Sequence, residues 1–461
     1  MNASPKRGFD RDERVLVIGL GRSGRATIEV LRARVGGLYA TDENPTAAEQ
    51  SLGVPFVAPA QLGTILADIT VAVLSPGIPL NGALVRRIQS AGIPVYSEIE
   101  VAYRLCAAPI VAVTGTKGKT TTTALIGEIF RAAGKHVLIG GNIGNALIHE
   151  TALATPDDWV IAETSSFQLE CIRSFKPKIS LITNLSPDHL DRYFSMDEYA
   201  EAKFRIFANQ GPGDTFVGNL DDPRIAALGE GENAGRIKAR ALWFAGEPHR
   251  NTTLYLRNDE LIIYAPPTGD PRPLQIMRVD EIPLRGRHNV ENALGAILVG
   301  LAAGLDRESI AAGVRNFKPL HHRLEEVAVI EGVTYIDDSK ATNPGSVIAA
   351  LRSFGNRPIV LIAGGKSKGT DFSELGRVAS SRTKAVVLIG EAASEIAPHI
   401  RRSKVEYAAA MDAAVDVAAR IAEPGDVVLL SPGCASFDMF ASAEDRGERF
   451  AGAVRARGSL G

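Results

Sequence analysis

The sequence predicts an α/β protein of three successive units, and three observations predict it. Two strand-to-glycine turns, at residues 15–24 (VLVIGLGRSG) and 111–120 (VAVTGTKGKT), each run straight into a helical pattern. Short apolar segments recur along the chain, each closing in a polar or glycine-rich cluster, as strands of open parallel sheets do. A length of 461 residues exceeds a single ordinary core, so two to four domains are expected.

Composition narrows the function classes. A hydrophobic content of 45% and a charged content of 23% are those of a soluble globular protein. A formal net charge of −2 offers no global attraction to nucleic acid or an acidic membrane, so small-molecule chemistry is the expectation. Cys106, Cys171 and Cys434 are too few and too scattered for a disulfide framework or a zinc site, and read as reduced, buried thiols. Residues 1–13 lack the apolar core of a signal peptide, and no later apolar run is long enough to span a bilayer without charge or glycine. A cytoplasmic monomer with no nucleic-acid partner and no membrane insertion is expected.

The first unit carries G-x-G-x-x-G at Gly19, Gly21 and Gly24, and Asp42 closes the strand-like stretch 37–41, where a Rossmann unit places its ribose-binding acid. Any nucleoside diphosphate can use such a helix N-terminus, so NAD and UDP are both admissible guests. A further buried strand, 70–74, runs into Ser75-Pro76-Gly77-Ile78-Pro79, and a doubly wound domain at 1–97 follows.

The second unit opens on the phosphate loop. Gly115 and Gly118 can take backbone angles closed to other residues and turn main-chain N–H groups inward towards a polyphosphate. Lys119 supplies positive charge and Thr120 a hydroxyl for the Mg²⁺ that accompanies ATP, with Thr116, Lys117 and Thr121 completing the loop. Val113 stands where the longer Walker form has glycine, so the match is to the shorter G-x-x-G-K-T form. Strands at 137–139, 159–162 and 179–183 end in clusters 141–144, 163–168 and 184–191, which should face this loop. Glu163 follows three apolar residues as a Walker B carboxylate does, although a surface acid at a strand end is the simpler reading. His189 reads equally as loop polarity, and Lys203, in the helical stretch 196–209, as an ordinary surface lysine. Strands at 253–256 and 261–264 form a small hairpin insertion. Asn289 and Asn292 share a helix face and can present amides to a base or ribose; helix capping is the alternative.

The third unit begins after Lys318-Pro319, with strands at 333–336, 359–362, 385–388 and 427–430, and chemistry-bearing loops at 337–343, 364–372 and 431–438. Domains at 98–319 and 320–461 follow.

The loop Gly115-Thr116-Lys117-Gly118-Lys119-Thr120-Thr121 resembles that of the Mur ligases and of folylpolyglutamate synthase. The loops at 337–343 (DDSKATN), 364–372 and 431–436 (SPGCAS) resemble those of the D-glutamate-adding Mur ligases, whereas members adding L-alanine, diaminopimelate or lysine carry a histidine-containing loop at the first. Folylpolyglutamate synthase lacks the N-terminal UDP-binding unit. The resemblance implies a Rossmann-like UDP-substrate domain, a central P-loop ATPase-type domain and a C-terminal Rossmann-like domain for the amino acid. It implies that D-glutamate is joined to UDP-N-acetylmuramoyl-L-alanine through an acyl phosphate. Among the residues, it implies Lys119 on the phosphates, Thr120 and Glu163 on one Mg²⁺, and His189 with a carbamylated Lys203 on a second. Asn289, Asn292, Arg323 and Asp338 would serve ATP. Arg22, Ser23, Asp42, Ser75, Asn142, Ser165, Gln168 and His189 would serve the uridine substrate, and Lys340, Thr342, Lys368, Ser436 and Phe437 D-glutamate. Beyond Ser436 the family often carries a bulky residue whose backbone meets the amino acid; this chain has Ala443. The competing readings are another Mur-type or folylpolyglutamate-type ligase, a Rossmann NAD-dependent oxidoreductase built on residues 19–42, and a non-catalytic nucleotide sensor.

Overall fold

The strands fall where unbroken apolar runs leave room for burial on both faces, which is the pattern of parallel sheets covered by helices. A computed structural model describes residues 9–44, 52–142, 144–189, 192–266, 272–284, 286–318, 321–367 and 370–458. The first sheet holds β1 (Arg14–Ile18), β2 (Gly37–Thr41), β3 (Val71–Leu74) and β4 (Val95–Ser97) in the order β2-β1-β3-β4, all parallel.

The second sheet comprises β5 (Ile110–Thr114), β6 (Val137–Gly141), β7 (Trp159–Glu163), β8 (Ile179–Ile182), β9 (Thr215–Asn219), β10 (Arg240–Ala245), β11 (Leu254–Arg257), β12 (Leu261–Tyr264) and β13 (Leu274–Arg278). Their order is β13-β12-β11-β10-β9-β8-β5-β7-β6. The expected hairpin is β11–β12, joined by the three-residue loop 258–260, in which Asn258 and Asp259 take positive φ. It continues the main sheet as an antiparallel edge, because β11 pairs in parallel with β10.

The third sheet contains β14 (Glu325–Ile330), β15 (Val333–Asp337), β16 (Ile359–Gly364), β17 (Thr383–Ile389), β18 (Lys404–Tyr407) and β19 (Val427–Leu430), ordered β14-β15-β19-β16-β17-β18. Only β14 runs antiparallel.

The chain forms two compact units: Met1–Ile282 with Glu291–Phe317, and Pro283–Val290 with Lys318–Gly461. The first two sheets therefore share one unit, and several polar ties run between them. Arg22 donates to the carbonyls of Asn142 (3.1 Å) and Gly144 (2.7 Å). Glu100, buried on the helix Glu98–Leu105, accepts from the Ser174 hydroxyl, Arg173 N, the Arg104 guanidinium and Ser174 N, which hold its carboxyl below the usual range despite burial.

Glu98, on the same helix, accepts from Ile148 N at 2.6 Å through one oxygen, while the other has no partner. Burial pushes its carboxyl up to about 7. The folded state thus holds this proton more tightly than the unfolded chain, so the cost of ionisation is absent in acid and fully present above about pH 7. Glu98→Gln should gain on the wild type as pH rises from the ordinary carboxylate value of 4.5, reaching about 3 kcal/mol. Denaturation midpoints of both proteins at about pH 5 and pH 8 measure this; an equal difference at both would contradict it.

Candidate functional site

The phosphate loop joins β5 to the helix Lys119–Ala132, and two glycines let it do so. Gly115 (φ +144°) and Gly118 (φ +79°) adopt angles disfavoured for other residues, and a Cβ would run into the Thr183 hydroxyl at the first and the Asn292 amide at the second. The loop is fixed from β8 and the segment after it. Thr116 N donates to Asn184 O (2.8 Å), Lys117 N to Asn184 Oδ1 (2.9 Å), and Thr183 Oγ1 to Lys117 O (2.7 Å). Lys119 Nζ donates to Gly115 O and Thr116 O at 3.0 and 2.9 Å. Thr120 lies in the first turn of the helix, where N–H groups and the dipole favour anions.

Two expected neighbours come to this loop, and both are more buried than their simpler readings allowed. Glu163 ends β7 at 1% exposure; Oε1 accepts from Asn142 Nδ2 at 2.8 Å and Oε2 is buried without a partner. Lys203, on the helix Met196–Phe204, is 2% exposed. Its Nζ donates to Gly115 O at 2.8 Å and lies 4.7 Å from the Tyr199 ring centroid. Burial, with the Lys119 charge nearby, holds this amine well below the ordinary lysine range. Tyr199 Oη meets Thr116 Oγ1 at 3.2 Å. His189 is exposed and in the left-handed region (φ +55°), its ring centroid 4.7 Å from that of Phe167.

The buried carboxylate oxygen of Glu163 without a partner and the Thr120 hydroxyl at a helix N-terminus are each hard oxygen donors of the kind that suits Mg²⁺. Among the described residues, the one cluster of three His, Cys, Asp or Glu ligand atoms within 4.8 Å lies elsewhere, at His322, Glu325 and Asp337. There the groups engage one another: His322 Nδ1 meets Asp337 Oδ2 at 2.7 Å and His322 N donates to Glu325 Oε2 at 2.8 Å.

The residues expected for the uridine substrate serve their own loops in part. Asp42 accepts from Leu20 N (2.7 Å) and Asn44 N (2.9 Å), bracing the first glycine turn, and Ser75 Oγ donates to Gly19 O at 2.7 Å. Ser23 stands at that turn, its carbonyl accepting from Thr27 Oγ1. Ser165 and Gln168 form a reciprocal capping box on the helix Ser166–Glu170. Asn289 and Asn292 both lie within the helix Arg287–Ala302, not at its cap.

In the second unit, three loops leave the carboxyl ends of the adjacent strands β15, β19 and β16. Gly433 N donates to Ala341 O, Gly364 N to Pro432 O and Lys366 N to Ala435 O, each at 2.8 Å. Asp338 accepts from Ser431 Oγ at 2.8 Å, and burial raises its carboxyl to about 7 against that bond and the Arg323 charge. Lys340 pairs with Glu444, which it holds down to about 2. Ser436 is buried, while Thr342 and Phe437 are exposed; Lys368 lies outside the described residues. Ala443 offers its carbonyl to Ser339 Oγ at 2.7 Å.

Sequence reasoning missed Arg446, which is fully buried and donates to Ser339 Oγ (2.9 Å), Ser339 O (2.8 Å) and Cys434 O (3.1 Å), cinching two loops. Burial lowers its guanidinium to about 10. Its helix, Ala443–Gly458, is so densely charged that no pattern separates this arginine from its neighbours. Asn184 opens the cluster 184–191 that was expected to face this loop, whereas Tyr199, in the expected helical stretch 196–209, was not singled out.

Family models match residues 113–300 (Mur ligase middle domain) and 322–434 (Mur ligase, glutamate ligase domain). A UDP-N-acetylmuramoylalanine–D-glutamate ligase of Pelotomaculum thermopropionicum is 45% identical, covering 95% of this chain and 96% of its own. One of Koribacter versatilis is 40% identical over 96% and 98%. Among solved structures, the UDP-N-acetylmuramate-alanine ligase of Thermotoga maritima (TM-score 0.60, 20% identity, 96% and 99% covered) shares the fold. So does a pseudomurein peptide ligase type C of Methanothermus fervidus (0.60, 18%, 96% and 100%).

A left-handed angle costs an L-residue about 1–2 kcal/mol, and a methyl at Gly118 also meets Asn292. Gly118→Ala should weaken ATP binding more than about tenfold, read by calorimetry; unchanged affinity would contradict the loop's role.

Proposed function

The chain belongs to the Mur ligases, in the UDP-N-acetylmuramoylalanine–D-glutamate ligase family, and from that membership we propose how its own residues divide the work. The reaction is the ATP-dependent addition of D-glutamate to UDP-N-acetylmuramoyl-L-alanine in peptidoglycan precursor synthesis. The observation that carries it is identity of 45% with such a ligase over nearly the whole chain. It sets aside the dinucleotide oxidoreductase suggested by Gly19–Asp42 alone.

A carboxylate is a poor electrophile, so the alanyl carboxylate first takes the γ-phosphoryl group of ATP, giving an acyl phosphate and ADP. The amine of D-glutamate then attacks the acyl carbon, loses a proton and expels phosphate. Several anions must converge, and electrostatic stabilisation is the protein's main task. Lys119 and the loop N–H groups hold the phosphates. Thr120 and Glu163 would hold Mg²⁺, which would supply screening of the phosphate charge; the unpartnered Oε2 of Glu163 supports this. His189 and Lys203 would serve a second Mg²⁺. An ammonium repels a cation, but a neutral amine can add CO₂, forming an N–C bond and releasing one proton, to leave a carbamate. The depressed basicity of Lys203 supports that route.

Asn289 and Asn292 are assigned to the nucleoside, Arg323 to the phosphates and Asp338 to the ribose. Arg22, Ser23, Asp42, Ser75, Asn142, Ser165, Gln168 and His189 are assigned to the uridine substrate, and Lys340, Thr342, Lys368, Ser436 and Phe437 to D-glutamate. The division into 1–97, 98–319 and 320–461 belongs to the same reading, as do a cytoplasmic location and a monomeric state. No helix among the described residues is long and apolar enough to cross a membrane.

ADP release by the purified protein with UDP-N-acetylmuramoyl-L-alanine should be stimulated by D-glutamate and not by L-glutamate, L-alanine, L-lysine or diaminopimelate. Stimulation by any of these but not by D-glutamate would overturn the substrate assignment. Lys203→Ala should lose at least about 10²-fold in kcat, with partial recovery in added formate or acetate. Wild-type turnover in that variant would remove Lys203 from the site.

A further inference from the structure

We propose that Arg192 is a positioning residue for the ligation, holding the substrate loop after β3 in register with the His189 loop after β8; this rests on the function proposed above. The Arg192 guanidinium touches both. Nη1 donates to Pro76 O at 3.1 Å and Nη2 to Ile78 O at 3.5 Å, in the loop that begins at Ser75. Nη2 also donates to Glu170 Oε2 at 2.6 Å, and the group lies over the Phe167 ring, 4.0 Å from its centroid. Glu170 is fixed in turn, because its other oxygen accepts from Tyr193 Oη at 2.5 Å.

On the catalytic side, Arg192 N and Tyr193 N both donate to His189 O, at 3.0 and 3.1 Å, and Phe167 packs against the His189 ring. The Arg192–Glu170 side chains are only 15% and 13% exposed, so solvent screens the pair weakly. Arginine suits the position because its planar fork reaches two carbonyls and a carboxylate at once, which an ammonium cannot do.

The reaction explains why register matters. The substrate is held at its uridine end by loops of the first sheet, yet reacts at its alanyl carboxylate, beside loops of the second. Binding at one end does not by itself place the other. A displacement of about 1 Å at the reacting centre can cost 10²-fold in rate. Arg22 also joins the two sheets, but its guanidinium donates to the carbonyls of Asn142 and Gly144.

The test uses the full chain with Arg192→Lys and Glu170→Gln, measuring kcat, direct calorimetric binding of UDP-N-acetylmuramoyl-L-alanine, and the thermal midpoint. Arg192→Lys should lower kcat about 10- to 100-fold while substrate affinity stays within about threefold. Glu170→Gln should lower the same parameter by less. Weakened binding with kcat unchanged would make Arg192 a simple binding contact and overturn the proposal, as would wild-type values in both. If Arg192→Lys loses its thermal transition, Glu170→Gln decides by the same criteria. Absence of substrate binding by the wild-type protein would instead overturn the underlying function.

Discussion

The hydrogen bond from Lys203 Nζ to Gly115 O, 2.8 Å long and shut away from water, is the constraint on which the central site depends. An isolated buried ammonium is expensive, and burial lowers the basicity of a lysine in such a place. Tyr199, one helical turn earlier, meets Thr116. The helix Met196–Phe204 is therefore pinned to the phosphate loop at two points, and the glycine that must take φ +144° is one of the groups it pins. That contact adds to the Thr183 and Asn184 bonds that fix the loop from the side of β8.

The same building rule recurs in each unit. Parallel strands bring their carboxyl ends to one edge, and the loops that leave them are tied by a few buried polar groups in place of regular ladders. In the first unit Asn184 does this, bonding to Thr116 and Lys117 through main chain and side chain. In the second unit Arg446 does it with a guanidinium that has no solvent exposure. Burial of the Arg446 guanidinium is tolerated because it donates to Ser339 and Cys434, and truncation would leave those oxygens unpaired.

Much of this was legible in the sequence because parallel strands announce themselves. The expected stretches 37–41, 261–264 and 427–430 coincide with β2, β12 and β19, each an apolar run bounded by polar or glycine residues. Strands β9 and β18 were not foreseen: TFVGN carries a glycine and KVEY alternates weakly. The phosphate loop was readable residue by residue, since its glycines, lysine and threonine each answer one geometric demand. Glu163 and Lys203 were readable only as candidates. Their burial is a tertiary property, set by Asn142 and by the loop carbonyl of Gly115, neither adjacent in sequence. Arg192 and Arg446 gave no local signal at all, because what distinguishes them is the set of distant carbonyls they reach.

The proposal that Lys203 carries a carbamate in the working enzyme rests on its burial against the carbonyl of Gly115. It is tested most directly by ¹³C NMR of the protein equilibrated with ¹³C-bicarbonate. A carbamate carbonyl resonance is expected in the wild-type protein and should disappear in Lys203→Ala. An active wild-type protein with no such resonance, or one that persists unchanged in Lys203→Ala, would contradict it.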